Sequence, residues 1–186
     1  MDNLKNMSEE LLNKPDGINI VQTEISSLNK DLYTLSDIRA IEDNNRSNFT
    51  KGGNLSAYIL IVDGDYSVNN NSEHKTLGLA YNNTSIVLFQ KSIEKNSGKV
   101  GQPSNRLLSS TVVNHEFGHL LGLTNNGTEI QSNHHHAEKG AHCTSTNCLM
   151  YYKAVTDFSM SDMIGLSSPK KLDAQCRADL QANGGK

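Results

Sequence analysis

An α+β domain is the fold class predicted for this chain of 186 residues. Three observations predict it. Short, largely apolar runs bounded by turn residues occupy positions 55–62, 77–81 and 85–90. A longer helical pattern follows over 104–121, and a second helical stripe over 169–182 carries Leu172, Cys176 and Leu180. Strands that come first and helices that come after, rather than strict alternation, give the α+β order. No internal repeat or linker divides the chain, so residues 1–186 are read as one domain.

Each element has a local reason. Residues 16–35 carry Val21, Ile25, Leu28 and Leu32 at helical spacing, which predicts an amphipathic helix. Residues 44–54 are polar and contain Gly52 and Gly53, hence a loop. The strand over 55–62 runs into Asp63-Gly64-Asp65, a turn. That turn and Asn69–Asn71 are rich in oxygen donors, but the spacing of a calcium-binding EF-hand is missing and a solvated turn is expected. Two strands, 77–81 and 85–90, are joined through Asn82-Asn83. After a loop at 98–104, Pro103 and Ser104 suit a helix start. Val113, Phe117, Leu120 and Leu121 lie roughly opposite His115 and His119, so one side of that helix can pack while the other faces a cleft. Gly122 suits the sharp turn at its end. Residues 123–141 are polar and irregular.

The bulk numbers exclude some functions. A net charge of −3 is not that of an electrostatic nucleic-acid binder. The longest apolar runs are too short to span a bilayer. Residues 1–12 are polar and have no secretory signal character. Cys143 and Cys148 bracket four residues and suit a local disulfide, which would imply an oxidising, extracytoplasmic compartment; three reduced, partly buried thiols are the other reading. A monomer is expected.

The chemistry sits at residues 115–119, His-Glu-Phe-Gly-His. On a helix, His115 and His119 lie one turn apart on one face, which lets two imidazoles bind one metal ion. Glu116 lies about 100° round the helix, near enough to reach a water on that ion. Two neutral nitrogen ligands and a neighbouring carboxylate are what zinc-assisted hydrolysis requires. The third ligand must come from the loop that follows, where His134, His135, His136 and His142 lie.

With Gly122, this stretch resembles the metzincin clan of zinc peptidases, whose signature is His-Glu-x-x-His-x-x-Gly-x-x-His followed by a Met-turn. The usual third ligand position falls on Asn125. A second block, His142-Cys143-Thr-Ser-Thr-Asn-Cys148-Leu149-Met150, is similar to the archaemetzincin pattern. The resemblance spans 115–150 and implies His142 as the displaced third ligand, with His134 as the alternative. It implies Met150 as the Met-turn residue and a small twisted mixed sheet with a backing helix, an active-site helix and a C-terminal helix. It implies one catalytic zinc and a secreted endopeptidase whose general base is Glu116, acting on a zinc-bound water. Tyr152, two residues after the methionine, would reach the metal or the oxyanion in some members. An edge strand at 77–81 would pair with an extended polypeptide substrate. Of the downstream Cys-x-x-Cys that helps archaemetzincins hold a second, structural zinc, only Cys176 is present, so a second ion is not expected. The first strand of such a domain would fall at 18–21 or be missing. A zinc amidohydrolase on a non-peptide amide, or a binding module with a structural zinc, are the rival functions.

Overall fold

In the computed structural model, which describes residues 1–71, 75–154, 163 and 165–186, the chain is a mixed α+β fold. Its centre is a three-stranded sheet of β2 (Tyr58–Val62), β5 (Ser85–Phe89) and β4 (Gly78–Asn82), in that order. The sheet is mixed, because β2 runs parallel to β5 and β4 antiparallel to it. The central strand reads Ser-Ile-Val-Leu-Phe and is buried throughout. Buried on both faces, it needs no polar alternation. Its alternate residues divide between two cores. Ile86 and Leu88 pack with Leu77, Leu108, Val112 and Val113, and Val87 and Phe89 pack with Tyr33, Ile38, Leu60 and Val62.

The first of those cores belongs to α4 (Asn105–Leu120), which crosses beneath β4 and β5. Ser104 caps it, its hydroxyl accepting from the Leu107 amide at 3.2 Å. Phe117 and Leu120 pack at the edge of the same core, so the apolar side lies where the sequence places it. Gly122 follows with φ +77° and turns the chain away. The second core is backed by α2 (Leu35–Asn45). A third core surrounds Met150, with Leu123, Leu149, all three cysteines, and Leu172 and Leu180 from α5 (Ala174–Ala182) and the turn before it. Two further helices are α1 (Asp2–Leu11) and α3 (Gln90–Lys95). No helix among the described residues is long and apolar enough to cross a membrane.

Two sequence expectations change within the first seventy residues, and one left open is decided. The helix expected over 16–35 does not form; the chain there is irregular, and Val21 and Leu28 are 70 % and 50 % exposed. Of the stripe only Ile25 packs against a core, and the polar residues bond locally: the Asn29 amide donates to Ser27 Oγ at 2.7 Å, with Asn29 at φ +52°. The helix starts where that one was expected to end. Thr34 and Asp37 form a capping box, the side chain of each accepting from the other's amide. No strand forms at 18–21; a two-residue strand β1 (Leu32–Tyr33) pairs instead in parallel with β3 (Asp65–Tyr66). The turn at 63–69 is solvated only in part, with Asp63 and Val68 exposed. Asp65 and Asn69 are buried, and Asn69 donates to Asp65 and Ser92 and accepts from the Thr76 amide, so their oxygens are already engaged.

The Lys30 hydrogen bond, with the Thr34 amide and hydroxyl, holds the Asp37 carboxyl down at about 2 from an ordinary 3.8. A depressed carboxylate contributes stability that is complete above its unfolded value and lost as pH falls through the folded one. Asp37→Asn is therefore expected to cost about 1 kcal/mol near neutrality. Urea midpoints of the two proteins should converge between pH 4 and pH 2; a gap that persists at pH 2 would assign the loss to something other than the charge.

Candidate metal centre

The last two turns of α4 present His115, Glu116 and His119, all on backbone fixed by the sheet above. Gly78 on β4 lets the strand lie close to the helix: a Cβ there would fall 2.5 Å from Val112 Cγ1 and 3.2 Å from Glu116 Cγ. Beneath, Gly118 receives Met150, whose Sδ would stand 2.3 Å from a Cβ at that position. Met150 is fully buried and forms the floor of the histidine-bearing turn. It occupies the place expected of a Met-turn residue.

The irregular stretch after Gly122 folds back on itself. The His136 amide donates to the His142 carbonyl at 2.8 Å and the Thr144 amide to the His134 carbonyl at 2.9 Å. This short ladder brings His142, not His134, to the helix. His142 Nε2 lies 3.3 Å from His115 Nε2, which lies 3.2 Å from His119 Nε2. Asn125, at the usual third position, is exposed with φ +65° and turns the chain.

Two neutral imidazoles at such a separation need a reason. His115 Nδ1 is 2.8 Å from the Leu149 carbonyl and His142 Nδ1 is 2.6 Å from the Lys139 carbonyl. A carbonyl only accepts, so both Nδ1 atoms carry the proton and both Nε2 atoms present bare lone pairs to each other. Burial, and then the neighbouring histidines, push His115 well below the ordinary imidazole range; burial pushes His119 to about 4 and pulls His142 down as well. None of the three is a cation at neutral pH, and converging lone pairs are stabilised by a shared cation. Tetrahedral zinc with nitrogens at about 2.0–2.1 Å places those nitrogens about 3.3–3.4 Å apart. The donor set fits that ion, and the carbonyl partners fix the tautomers as outer partners of a metal site do.

Glu116 lies outside this trio. It is buried, its Oε2 accepts from the Ala80 amide of β4 at 2.9 Å, and burial pushes it up to about 7 despite that bond. The Tyr152 ring packs edge-on against His136, with ring centres 5.5 Å apart, and Lys139 Nζ lies 4.9 Å over it. It thus lies against the loop that carries His142.

The disulfide expected between Cys143 and Cys148 is not formed, and all three cysteines are free and buried. The pairing that argued for an oxidising compartment goes with it. The thiols instead gather with His134, which is fully buried and points away from the helix histidines. This corrects the alternative assignment of His134 as third ligand. His134, Cys143, Asp173 and Cys176 each place one donor atom within 4.8 Å of the others, a second group able to hold a metal, where a single ion was expected. Asp173 and Asp179 were missed in the sequence. Asp173-x-x-Cys176 occupies the place of the absent Cys-x-x-Cys, which was a readable signal; Asp179 gave none.

No protein-family model, no curated protein and no solved structure matches this chain.

Proposed function

We propose that the protein is a zinc-dependent endopeptidase with His115, His119 and His142 as ligands and Glu116 as general base. One observation carries the reading: three neutral imidazoles, two on a helix that also bears a buried glutamate and one from the loop after it, whose Nε2 atoms lie 3.2 and 3.3 Å apart. Three protein ligands leave a fourth position for water or substrate, which is the mark of a catalytic rather than a closed site. Zinc, when bound, lowers the pKa of a water and polarises the scissile carbonyl. Glu116 takes the proton of the attacking water and passes it to the departing amine nitrogen. Its carboxylate rests on the Ala80 amide and must leave that bond to do so. That amide belongs to β4, the edge strand, so an extended polypeptide lying along β4 would take over the donor that Glu116 releases. The substrate class proposed is thus an extended polypeptide, bound as an added strand.

Zinc-loaded protein incubated with a diverse peptide library tests this. Glu116→Ala is expected to lower cleavage by about 10²–10⁴-fold while zinc content is unchanged. Equal cleavage by the variant would remove Glu116 from the mechanism. Absence of cleavage by the zinc-loaded parent would count against a peptidase and in favour of a non-peptide amide or a binding role.

A further inference from the structure

The two edges of the sheet are finished differently. At one edge, the pairing of β4 with β5 shifts register between Ala80 and Asn82, and the Ala80 amide is taken by Glu116. Irregular pairing and covered donors are how an edge is kept from joining another chain. β2, at the other edge, has neither device. It pairs with β5 in unbroken register over 58–62, and no charge and no proline falls between Lys51 and Asp63. The Tyr58 amide donates to the Thr84 carbonyl at 2.8 Å, so Tyr58, Leu60 and Val62 turn their backbone groups towards β5 while Ile59 and Ile61 turn theirs outward. Among the described residues no backbone group bonds to those outward groups, and the irregular segment 18–26 makes no backbone–backbone hydrogen bond at all. α4 lies beneath β4 and β5, so Ile59 reaches only the margin of its core and Ile61 is 51 % exposed. Phe49 and Leu55, in the segment leading into β2, are exposed as well.

We infer that β2 pairs antiparallel with β2 of a second copy of this chain, about a twofold axis at Leu60, joining the two sheets into one. That axis sets Ile59 of one copy opposite Ile61 of the other. Each outward amide then meets an outward carbonyl, and the exposed isoleucine packs on its counterpart across the pair. A contact of this kind is self-complementary, so one strand supplies both halves. Charge favours the same occupant and sets its direction. The Ser56 amide donates to Thr50 Oγ1 at 3.1 Å, which folds the loop bearing Lys51 back beside the start of β2, and Asp63 follows the end of the strand. Asp63 accepts from the neutral Ser27 and Tyr33 hydroxyls, and among the described residues no ion pair joins it or Lys51 to an opposite charge. An antiparallel pair carries Lys51 of each copy towards Asp63 of the other, whereas a parallel pair would set like charges together. Both β4 edges, with the histidine trios beneath them, stay at the outer ends of the joined sheet, so the inference stands apart from the peptidase reading.

Sedimentation of the full-length protein from about 1 µM to about 1 mM tests this, with amide hydrogen exchange over 58–62 read by mass spectrometry across the same range. A concentration-dependent dimer is expected, in which the strand holds two more amides than in the dilute monomer. Ile61→Lys puts a charge on the paired edge at a position that solvent already reaches. It should keep the parent's Tm and raise the dimer Kd at least about 100-fold. Lys51→Asp should raise it about tenfold, because the axis makes the pair twice, and Lys51→Arg should leave it unchanged. A chain that is monomeric throughout the range overturns the inference. So does a dimer that Ile61→Lys leaves intact, which would be built on another face. Equal protection of 58–62 in monomer and dimer overturns it too, and assigns the edge to the chain's own segment. An unchanged Kd in Lys51→Asp overturns the antiparallel arrangement.

Discussion

The His142→Ala protein is expected to lose both the zinc at the helix and all cleavage that depends on it. Losing an outer partner of a metal ligand costs about 10–100-fold in affinity, and losing a direct ligand costs more, so a Kd rise above about 100-fold is expected. His142 contributes the only donor of the trio that lies outside α4. Without it, two imidazoles on one helix remain, and two donors do not close a site. His134→Ala should weaken the same ion only about tenfold, through the loss of its support. Competition with a chromophoric chelator, on both variants side by side, reads the order. A larger effect from His134→Ala would move the third ligand back to the position set aside above.

Arg46→Met is expected to destabilise the whole domain by about 3–5 kcal/mol, the cost of leaving a buried charge without its partner. Arg46 and Glu42 lie four apart at the end of α2, with side chains only 6 % and 9 % exposed, and their closest atoms are 2.7 Å apart. The guanidinium donates to Thr84 Oγ1, Ser85 Oγ and the Ser56 and Asn48 carbonyls as well, and it lies over the Phe49 ring. It therefore ties the backing helix to the segment leading into β2 and to the turn into β5. Burial raises the Glu42 carboxyl, but hydrogen bonds led by those from Ser85 and Arg46 outweigh it and leave the group below its ordinary range. The variant keeps that carboxylate and removes its counter-charge. For a chain of this length the loss corresponds to a fall in Tm on the order of 10 °C. Glu42→Gln/Arg46→Met should recover much of it. A single variant within about 1 kcal/mol of the parent would show that solvent reaches the pair.

What the sequence made legible was local. The histidine pair and the glutamate follow from spacing on one helix, and Ser104 and Gly122 mark its ends by their own conformational preferences. The strands at 58–62 and 85–89 announce themselves by β-branched residues, and the one at 78–82 only by being a short apolar run before Asn82-Asn83. What it concealed depends on partners far along the chain. Val21, Ile25, Leu28 and Leu32 have helical spacing, but only Ile25 packs against a core, while the capping box at Thr34 and Asp37 starts a helix that packs through Ile38 and Ile41. The helix at 2–11 had its signal in Leu4, Ser8 and Leu11, a stripe too sparse to stand out. The sorting of the histidines was beyond any spacing rule. His134 and His142 are separated by the register of one short ladder, and a slip there would exchange their environments. Glu42 and Arg46 did carry a sequence signal, the i,i+4 spacing of opposite charges, but nothing in that spacing says the pair is buried.

The seat of Met150 changes what counts as variable in the His-Glu-Phe-Gly-His pentad. The two middle positions of such a motif are ordinarily free, since neither touches the ion. Here the second of them is spoken for by its neighbour: any side chain at Gly118 would meet a fully buried sulfur. Tolerance at position 118 should therefore be confined to glycine, while Phe117, packed at the margin of a core, should accept other apolar residues of similar size. A homologue built in this way would be recognised by His-Glu-x-Gly-His together with a methionine some thirty residues on, a pair of constraints that would drift together or not at all.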